Sequence, residues 1–336
     1  MLKVGVIGLG VGEQHIQGYR RHPRCEVVAL CDLSQGKLSD VGDRYPEIYR
    51  TTKASEILDD PSIDVVSIAS YDNDHGAQVC QALDHNKHVF VEKPLCLYEA
   101  EAIEIRDRLR QKPHLKLASN LILRKSPRFQ VLKKMIETGD MGDIYYVEGD
   151  YNYGRIEKIT EGWRGNLDFY SIVYGGGVHL IDLMLWLTRD EVSEVSAYGN
   201  SICTKNTQFR HNDLVAAILK FKSGAVGKMT ANFGCVFPHF HPLAVYGTKA
   251  TFINGRKSGE LYRSRDPKIE PKAMDAAYPG VHKGEFLLSF IDAIITDAQT
   301  EVTAQEIFAA MSVCFAIEKA VQSNELIKVK NLWEEK

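Results

Sequence analysis

An apolar run passes into a glycine-rich turn near the start of the sequence, in Lys3-Val4-Gly5-Val6-Ile7-Gly8-Leu9-Gly10-Val11-Gly12-Glu13. Residues 4–9 predict a buried strand, and the segment from Glu13 predicts a helix. Glycine is needed at such a turn because a Cβ atom would keep a pyrophosphate away from the backbone N–H groups and the helix N-terminus. Gly12 comes one residue too early for the regular pattern G-x-G-x-x-G, so the match is partial. The stretch still predicts a dinucleotide-binding α/β domain at the start of the chain.

Asp32 follows the next apolar run, about twenty residues after the glycine turn. An acidic side chain at this place accepts hydrogen bonds from ribose hydroxyls and repels a 2′-phosphate, which favours NAD over NADP while leaving NADP possible. The alternative is that Asp32 caps the helix that begins after Leu33-Ser34. The first predicted cofactor contacts are therefore Gly8, Gly10, Val11, Gly12 and Asp32.

Apolar, β-branched runs alternate with helix-like segments through the first part of the chain. Such alternation predicts a doubly wound parallel sheet that is covered by helices on both faces. From residue 142 the strand-like segments become longer and are separated by glycine-containing turns, which is typical of antiparallel pairing. The predicted strands are 4–9, 27–31, 64–69, 88–92 and 115–119 in the first part, and 144–151, 192–200, 214–221 and 226–233 in the second.

The end of the chain predicts two helices, 285–297 and 304–323, the second with Thr303 or Thr300 as its cap. The polar segment 256–278 predicts an irregular surface excursion. These patterns predict a Rossmann dinucleotide-binding domain over residues 1–120 and a substrate-binding and oligomerisation domain over residues 121–336. The second domain is expected to contain a large, mostly antiparallel, open-faced sheet, with the option that the last helices pack back on the Rossmann domain.

Composition and charge exclude several classes of protein. The 41 Lys and Arg residues against 44 Asp and Glu residues give a formal charge of −3, which disfavours nucleic acid as a partner. No apolar run approaches the roughly 20 residues of a membrane-spanning helix, and residues 1–8 lack the pattern of a signal peptide. Seven cysteines without a metal-binding spacing indicate reduced thiols and a cytoplasmic location. His239 and His241 have no third ligand nearby, so we predict no metal site.

Two predicted loops follow the carboxyl ends of strands, where open parallel sheets build their binding sites. The first contains Ser70, Asn73 and His75, and the second is Glu92-Lys93-Pro94; all but the proline are predicted to face the cofactor. Proline disfavours the helical region for the residue before it, so Lys93 is expected in an extended conformation. A lysine held there can take part in proton transfer or hydroxyl binding, although a strand-terminal lysine is by itself more often a solvated charge.

The combination of these motifs resembles the Gfo/Idh/MocA family of NAD(P)-dependent sugar and polyol oxidoreductases. The resemblance rests on Gly8-Leu9-Gly10 with His15, on Asp32, on Asn73 with His75 and above all on Glu92-Lys93-Pro94. It covers nearly the whole chain, because it continues through Gly139-Asp140-Met141-Gly142-Asp143-Ile144, Gly177-Val178-His179-Leu180-Ile181-Asp182, Gly247-Thr248 and Val302-Thr303-Ala304-Gln305-Glu306.

The resemblance implies roles for three residues. Lys93 is similar to the family's active-site lysine, which binds the reacting hydroxyl and assists proton transfer. His179 is similar to the catalytic histidine, which takes the hydroxyl proton while a hydride leaves the same carbon for nicotinamide C4; this suits an imidazole, whose ordinary pKa lies near neutrality. Asp182 is similar to an aspartate one helical turn later that faces the same side. Without the resemblance, His179 would be interpreted as an ordinary histidine in an apolar helix.

The sequence departs from the family at two places. Many of its dehydrogenases carry an aspartate four residues before the histidine, and this chain has Gly175 there. Loss of a carboxylate that binds a substrate hydroxyl is expected to change rate or specificity, and Asp182, Tyr153 and Tyr174 are the candidates to compensate. The second departure is Arg124-Lys125, where the family often has arginine followed by an aromatic residue. Arg124 remains a candidate substrate contact.

Further candidate substrate contacts precede the glycine run, in a segment that in this family lies over the crevice. They are Tyr153, Arg155, Trp163 and Arg164, and the alternative for Trp163 is that it anchors a loop. Aromatic faces stack on sugars and arginines pair with carboxylate or phosphate, which favours a nucleotide-linked sugar or a sugar acid over a neutral polyol. The full set of predicted substrate contacts is Lys93, Arg124, Tyr153, Arg155, Trp163, Arg164, His179 and Asp182.

Two classes of function fit these observations. The first is a NAD-dependent dehydrogenase or ketoreductase that acts on a secondary hydroxyl of a sugar derivative. The second is a dinucleotide-binding regulator of the same fold with impaired catalysis, which Gly175 keeps open and which the presence of both Lys93 and His179 argues against. The broad sheet of the second domain needs a cover for its far face, so a homodimer or homotetramer is expected.

Overall fold

The computed structural model describes residues 1–334, and the chain divides into two compact units. The first consists of Met1–Ile122 and His282–Phe308, and the second of Leu123–Val281 and the described chain from Ala309 onward. The segment His282–Phe308, which lies near the end of the chain and contains one of the two last helices, groups with the first unit. Packing explains this assignment, since a Cβ atom on Gly18 would lie 2.7 Å from the Leu287 side chain. Within residues 1–334, no helix is both long and apolar enough to cross a membrane.

The first unit contains a six-stranded sheet in which every neighbouring pair is parallel. Its order β3-β2-β1-β4-β5-β6 reverses at β1, so the loops after β1 and β4 leave the same edge on either side of the reversal. All five predicted strands are found, with ends that differ by up to two residues. The sheet also contains β3, which was not predicted because its three residues Tyr-Arg-Thr carry no alternating pattern. The strands are β1 Leu2–Ile7, β2 Cys25–Cys31, β3 Tyr49–Thr51, β4 Val65–Ile68, β5 His88–Val91 and β6 Leu117–Ser119.

Helices connect these strands, as parallel pairing requires. The helix after the glycine turn begins at Gly12, and the fifth helix ends at Gln111, two residues before Pro113. Near the end of the unit the Thr303 hydroxyl accepts a hydrogen bond from the backbone of Glu306 at 3.3 Å, so Thr303 rather than Thr300 caps the last helix. The helices are α1 Gly12–Arg20, α2 Gln35–Gly42, α3 Ser55–Leu58, α4 His75–Asp84, α5 Glu99–Gln111 and, after the main segment of the second unit, α9 Glu285–Thr296. The last helix, α10 Ala304–Ser323, begins in the first unit and continues in the second.

The second unit contains a nine-stranded sheet in the order β14-β13-β12-β11-β7-β10-β9-β8-β15. It is mostly antiparallel, as predicted, with one parallel pair between β10 and β7. The interpretation of residues 256–278 as irregular was wrong, because this segment contains β13 and β14; both are short and carry charged residues, which hid their pattern. The strands are β7 Ile144–Asn152, β8 Val192–Asn200, β9 Leu214–Phe221, β10 Val226–Asn232, β11 Leu243–Gly247, β12 Thr251–Asn254, β13 Gly259–Tyr262, β14 Lys272–Met274 and β15 Ile327–Lys328.

One face of this sheet is covered by a helix that carries His179. A Cβ atom on Gly149 of β7 would lie 3.1 Å from Met184 and 3.3 Å from Leu180, so the glycine lets the helix approach closely. The helix is preceded by a π-helical segment, Val173–Gly177, and both are almost entirely buried. The helices of this unit are α6 Pro127–Glu137, α7 Glu157–Thr160 and α8 Val178–Thr188, together with the rest of α10.

Candidate active site

The glycine turn has the shape that a dinucleotide needs. Gly8 has a φ of +85°, and a Cβ atom there would lie 2.2 Å from the Ala69 carbonyl oxygen, so no other residue fits. A Cβ atom on Gly10 would meet nothing within 4 Å, which leaves the turn open on that side. Val11, at the N-cap of α1, provides no side-chain acceptor for the first N–H groups of the helix. Open backbone and unsatisfied N–H groups at a helix N-terminus form a suitable site for a pyrophosphate.

Asp32 binds the glycine turn instead of capping a helix. One carboxylate oxygen accepts a hydrogen bond from Leu9 N at 2.8 Å, and the other accepts one from Ser34 N at 2.9 Å. The N-cap of α2 is Ser34, whose hydroxyl accepts from Lys37 N at 3.3 Å, so the alternative of Asp32 as the cap is wrong. The half-buried Asp32 carboxylate therefore lies beside the turn in which a dinucleotide would sit.

His75 joins the two loops that follow β4 and β5. Its Nδ1 atom lies 2.7 Å from the Pro94 carbonyl oxygen, and its Nε2 atom lies 3.3 Å from the Ser70 carbonyl oxygen. The ring is 1% exposed, so it supports the loop that carries Lys93. The Ser70 hydroxyl donates to Gln78 at 2.8 Å, and the Asn73 amide donates to the neighbouring Asp74 at 2.9 Å.

Glu92 belongs to a buried polar network behind Lys93. Its Oε1 atom accepts a hydrogen bond from the Asn120 amide at 2.7 Å and lies 3.3 Å from His15 Nε2, while His15 Nδ1 lies 2.9 Å from the Ser67 hydroxyl. Burial acts to raise the pKa of Glu92, but the hydrogen bond from His15 and nearby lysine charges outweigh it and hold the pKa well below the usual range. A carboxylate anion is thus buried directly beside the backbone of Lys93. Sequence reasoning missed Ser67 and Asn120 in this network.

Arg124 and Asp182 form a buried ion pair in the second unit. The guanidinium donates to both carboxylate oxygens, at 2.9 and 2.6 Å, and the residues are 3% and 1% exposed. Asp182 lies on α8 one turn after His179, so the pair ties the turn at Ile122–Lys125 to the helix that carries the histidine. Both residues were predicted as substrate contacts, and the structure places them against each other.

His179 is held among aromatic rings. It is 8% exposed and stacks on Tyr151 with ring centroids 6.1 Å apart and an interplanar angle of 16°. The Tyr151 ring also packs against Phe233 and His241, with ring centroids 5.8 and 4.8 Å apart. The Tyr278 hydroxyl is hydrogen-bonded to His241 Nδ1. Burial, followed by the charges of His239 and Arg155, lowers the pKa of His241 to about 3, so its ring is neutral near pH 7. Sequence reasoning did not find Tyr151, Phe233 or Tyr278, although period-2 alternation places Tyr151 on the same face of the β7 segment as the predicted Tyr153.

The predicted aromatic and cationic substrate contacts form two stacked pairs. The Arg155 guanidinium lies 4.4 Å from the centre of the Tyr153 ring, and the Arg164 guanidinium lies 4.4 Å from the centre of the Trp163 ring. Tyr153 in turn stacks on Phe233 at 4.3 Å. Each arginine is therefore presented on an aromatic surface, an arrangement that favours planar contacts with anionic groups.

Gly175 faces a tyrosine. A Cβ atom at this position would lie 2.1 Å from the Tyr170 hydroxyl oxygen and 2.9 Å from Cζ of the same ring, and its three nearest atoms all belong to Tyr170. Tyr170 is 2% exposed and was not among the candidates to compensate for the missing aspartate. The candidate Tyr174 packs on Phe315 at 5.5 Å, and the candidate Asp182 is bound to Arg124.

Comparison with known proteins places the chain in a family. Residues 2–119 match the family model described as the oxidoreductase family with an NAD-binding Rossmann fold, and residues 129–253 match the GFO/IDH/MocA C-terminal domain. The chain belongs to the GFO/IDH/MocA family. It is an oxidoreductase of this family and its cofactor is NAD, which the open glycine turn fits.

The relatives include dehydrogenases of polyols and sugars. An uncharacterized oxidoreductase of Bacillus subtilis is 26% identical over 316 residues, which cover 90% of this chain and 89% of that protein. A myo-inositol 2-dehydrogenase of Thermotoga maritima is 25% identical over 256 residues, which cover 74% of this chain and 73% of that protein. A solved levoglucosan dehydrogenase in complex with NADH and L-sorbose has a TM-score of 0.86 at 20% identity, covering 99% of this chain and 100% of that one, and shares the fold.

His239 and His241 lie side by side in the second unit. The rings of His239 and His241 have centroids 4.8 Å apart, and no group of three or more His, Cys, Asp or Glu residues among residues 1–334 could hold a metal ion.

Proposed function

We propose that this protein transfers a hydride between NAD and the carbon of a secondary hydroxyl or keto group in a sugar derivative. The observation that carries the proposal is the setting of His179, an imidazole buried against Tyr151 on a helix that the Arg124–Asp182 pair fixes in place. A buried and oriented imidazole is suited to exchange a proton with a hydroxyl near neutral pH. The family's polyol and sugar dehydrogenases support the same class of substrate.

In the oxidative direction, His179 takes the hydroxyl proton and Lys93 donates a hydrogen bond to the hydroxyl oxygen. Lys93 thereby favours the negative charge that develops on oxygen as the C–H bond breaks. The bound NAD supplies the nicotinamide carbon that accepts the hydride. The products are a ketone, NADH and a proton carried by His179, so electrons and protons balance; the reverse direction reduces the ketone.

The cofactor contacts of the proposal lie in the first unit. Gly8, Gly10, Val11 and Gly12 offer backbone N–H groups to the pyrophosphate, and Asp32 offers its carboxylate to the adenosine ribose. Ser70, Asn73, His75 and Glu92 lie in the loops at the same edge of the sheet, with His75 and Glu92 acting chiefly through the support that they give to the loop of Lys93.

For the substrate we propose a sugar derivative with an acidic group, such as a sugar acid or a nucleotide-linked sugar. Arg155 and Arg164, stacked on Tyr153 and Trp163, are the groups that would bind a carboxylate or phosphate. The neutral polyols and sugars named for the relatives are the competing substrates. An assay panel must therefore contain both classes.

Site variants test the function. We expect Lys93→Ala and His179→Ala each to lower turnover about 10²–10⁴-fold, because each removes a group that acts on the reacting hydroxyl. NADH absorbance measured against inositols, sugars, sugar acids and nucleotide sugars gives the rates, and NAD binding followed by calorimetry should persist in both variants. Lys53→Ala, a change at a lysine whose side chain is 73% exposed in the first unit, is the matched control. Unchanged turnover in Lys93→Ala would contradict the proposed mechanism. A wild type that binds NAD but turns over no substrate of the panel would favour the alternative function, a dinucleotide-binding regulator.

We also propose a reducing compartment and self-association. The cysteines are all free, and five of them, Cys25, Cys31, Cys80, Cys96 and Cys314, are buried, which agrees with a cytoplasmic location. The face of the nine-stranded sheet opposite α8 is the surface that we propose for a homodimer or homotetramer.

A further inference from the structure

A cleft of about 240 Å³ opens in the second unit, and none of its lining residues belongs to the predicted site. Its walls come from residues 169–172, Ser201, residues 210–212 and two side chains of α10, Glu318 and Gln322. The volume is below the roughly 300–1,000 Å³ of pockets for drug-sized ligands. The cleft is therefore suited to a small molecule.

Several polar side chains around the cleft have no partner within the protein. Among residues 1–334, the side chains of Ser201, Arg210, Asn212 and Gln322 take part in no hydrogen bond or ion pair. Ser201, Arg210 and Gln322 are exposed and Asn212 is half-buried, so the polar atoms of all four are open to water or to a ligand. These four groups come from three separate segments, so the fold, and not a local turn, brings them together.

Glu318 connects the cleft to the segment that leads to His179. Its carboxylate accepts a hydrogen bond from the Ser171 hydroxyl, and the Ser171 oxygen accepts hydrogen bonds from Val173 N at 3.1 Å and Tyr174 N at 3.2 Å. These two amides open the π-helical segment Val173–Gly177, which runs directly into α8. Burial raises the pKa of Glu318, as expected of a carboxyl group partly removed from water. Glu318 is thus connected through Ser171 to the first turn of the segment.

The lining indicates the chemical class of the ligand. Arg210 only donates hydrogen bonds, an ionised Glu318 only accepts them, and the Asn212 and Gln322 amides with the Ser201 hydroxyl do both. A hydroxyl group also does both, so a ring of hydroxyls satisfies such a mixed set. One cationic and one carboxyl side chain disfavour ligands of large net charge. Phe169 and Tyr170 supply aromatic surface for the apolar C–H faces of a sugar or cyclitol.

We propose that this cleft is a second binding site, for a neutral monosaccharide or cyclic polyol, and that its occupant orders the turn at Ser171 that precedes the π-helical segment. The site takes its ligand without chemistry. The lining contains none of the residues assigned to the hydride transfer, so binding in the cleft does not require that reaction.

Calorimetric titration of the full chain with myo-inositol, without NAD, tests the site. We expect the double variant Arg210→Ala/Asn212→Ala to weaken one binding event about tenfold, because two ligand hydrogen bonds are lost. The control variant is Lys205→Ala/Asn206→Ala, which also removes one positive charge and one amide, but at exposed positions outside the lining. It should bind myo-inositol as the wild type does. Ser201→Phe, which fills the cleft from an exposed position, should abolish the same event and guards against a folding defect in the first variant.

Hydrogen exchange provides the second readout. Saturating myo-inositol should slow amide exchange at Val173 and Tyr174 in the wild type and in Lys205→Ala/Asn206→Ala, and this slowing should be lost in Ser201→Phe. Equal affinities and equal protection in all variants would overturn the proposal. Tighter binding of the free amino acid glycine than of myo-inositol would overturn the proposed ligand class. Neither measurement involves turnover, so a protein that oxidises no sugar still gives a clear result here.

Discussion

Tyr170 places its hydroxyl where a side chain at position 175 would begin. The distance of 2.1 Å from the Cβ position to the oxygen is shorter than any real contact, and the ring is buried between Trp163 and Phe209 with little room to move. Glycine at 175 and tyrosine at 170 are therefore a matched pair. Position 175, where the resemblance to the family implied an aspartate, has no room for a side chain while Tyr170 keeps this position.

This pairing predicts that Gly175→Ala destabilises the protein. In a helical segment the change from glycine to alanine ordinarily stabilises by roughly 0.5–1 kcal/mol, but the clash with Tyr170 should reverse the sign and cost about 1–3 kcal/mol. Urea unfolding measures the difference. In Gly175→Ala/Tyr170→Ala the second change removes the clashing atoms. The free energy of unfolding of the double variant should therefore fall by less than the sum of the decreases in the two single variants. Strictly additive losses would contradict the pairing.

The elements of the first unit were predictable because their signals are local. The glycine turn, Asp32 and Glu92-Lys93-Pro94 each lie within a few residues of a strand end, and a parallel sheet brings strand ends to one edge. Short elements with mixed polarity, β3, β13 and β14, carry too few residues to establish a period. The platform beneath His179 could not be predicted either, because it combines Tyr151, Phe233, His241 and Tyr278, which lie far apart in the sequence and meet only through sheet pairing.

Four elements of the first unit meet in the network around Glu92. His15 comes from α1 and Ser67 from β4, while Glu92 follows β5 and Asn120 follows β6. The pKa of Glu92 is lower in the folded chain than in the unfolded chain, so the unfolded chain takes up the proton first as the pH falls. The network therefore contributes its full stability above the ordinary pKa of glutamate, about 4.3, and loses it as the pH falls toward the folded pKa.

Glu92→Gln should lower the free energy of unfolding by about 2 kcal/mol at pH 7, because it replaces a hydrogen-bonded buried anion by a neutral amide. Thermal or urea unfolding from pH 7 down to about pH 2 should show a shallower acid dependence in the variant than in the wild type, with the difference confined to the range below about pH 4.3. Glu47→Gln, a change at a glutamate whose side chain is 60% exposed, should leave both quantities as they are. An unchanged acid dependence in Glu92→Gln would show that the network is not the acid-sensitive element.

The nine-stranded sheet has one face that α8 does not cover. On this face the central strand β9 presents Ala216 and Ile218, and Ile218 is 51% exposed. Ile218 pairs in register with Lys228 of β10. Lys228 is bound to Glu148 at 3.2 Å and to Asp150 at 3.2 Å, so its charge is balanced within the sheet. A face with a neutral, partly apolar centre can pack on the same face of a second copy about a two-fold axis.

Ile218→Asp should therefore convert the protein from a homo-oligomer to a single chain of 37.8 kDa. Two-fold packing would bring the two aspartates close to each other in a desolvated centre, where unpaired like charges are strongly unfavourable. Sedimentation equilibrium at micromolar concentration measures the mass, and a wild type of twice or four times the chain mass is expected. Ile269→Asp introduces the same charge at a position that is 58% exposed outside the strands of the sheet, and should leave the mass unchanged. A wild type that sediments as one chain would refute association through this face, and equal loss of mass in both variants would place the interface elsewhere.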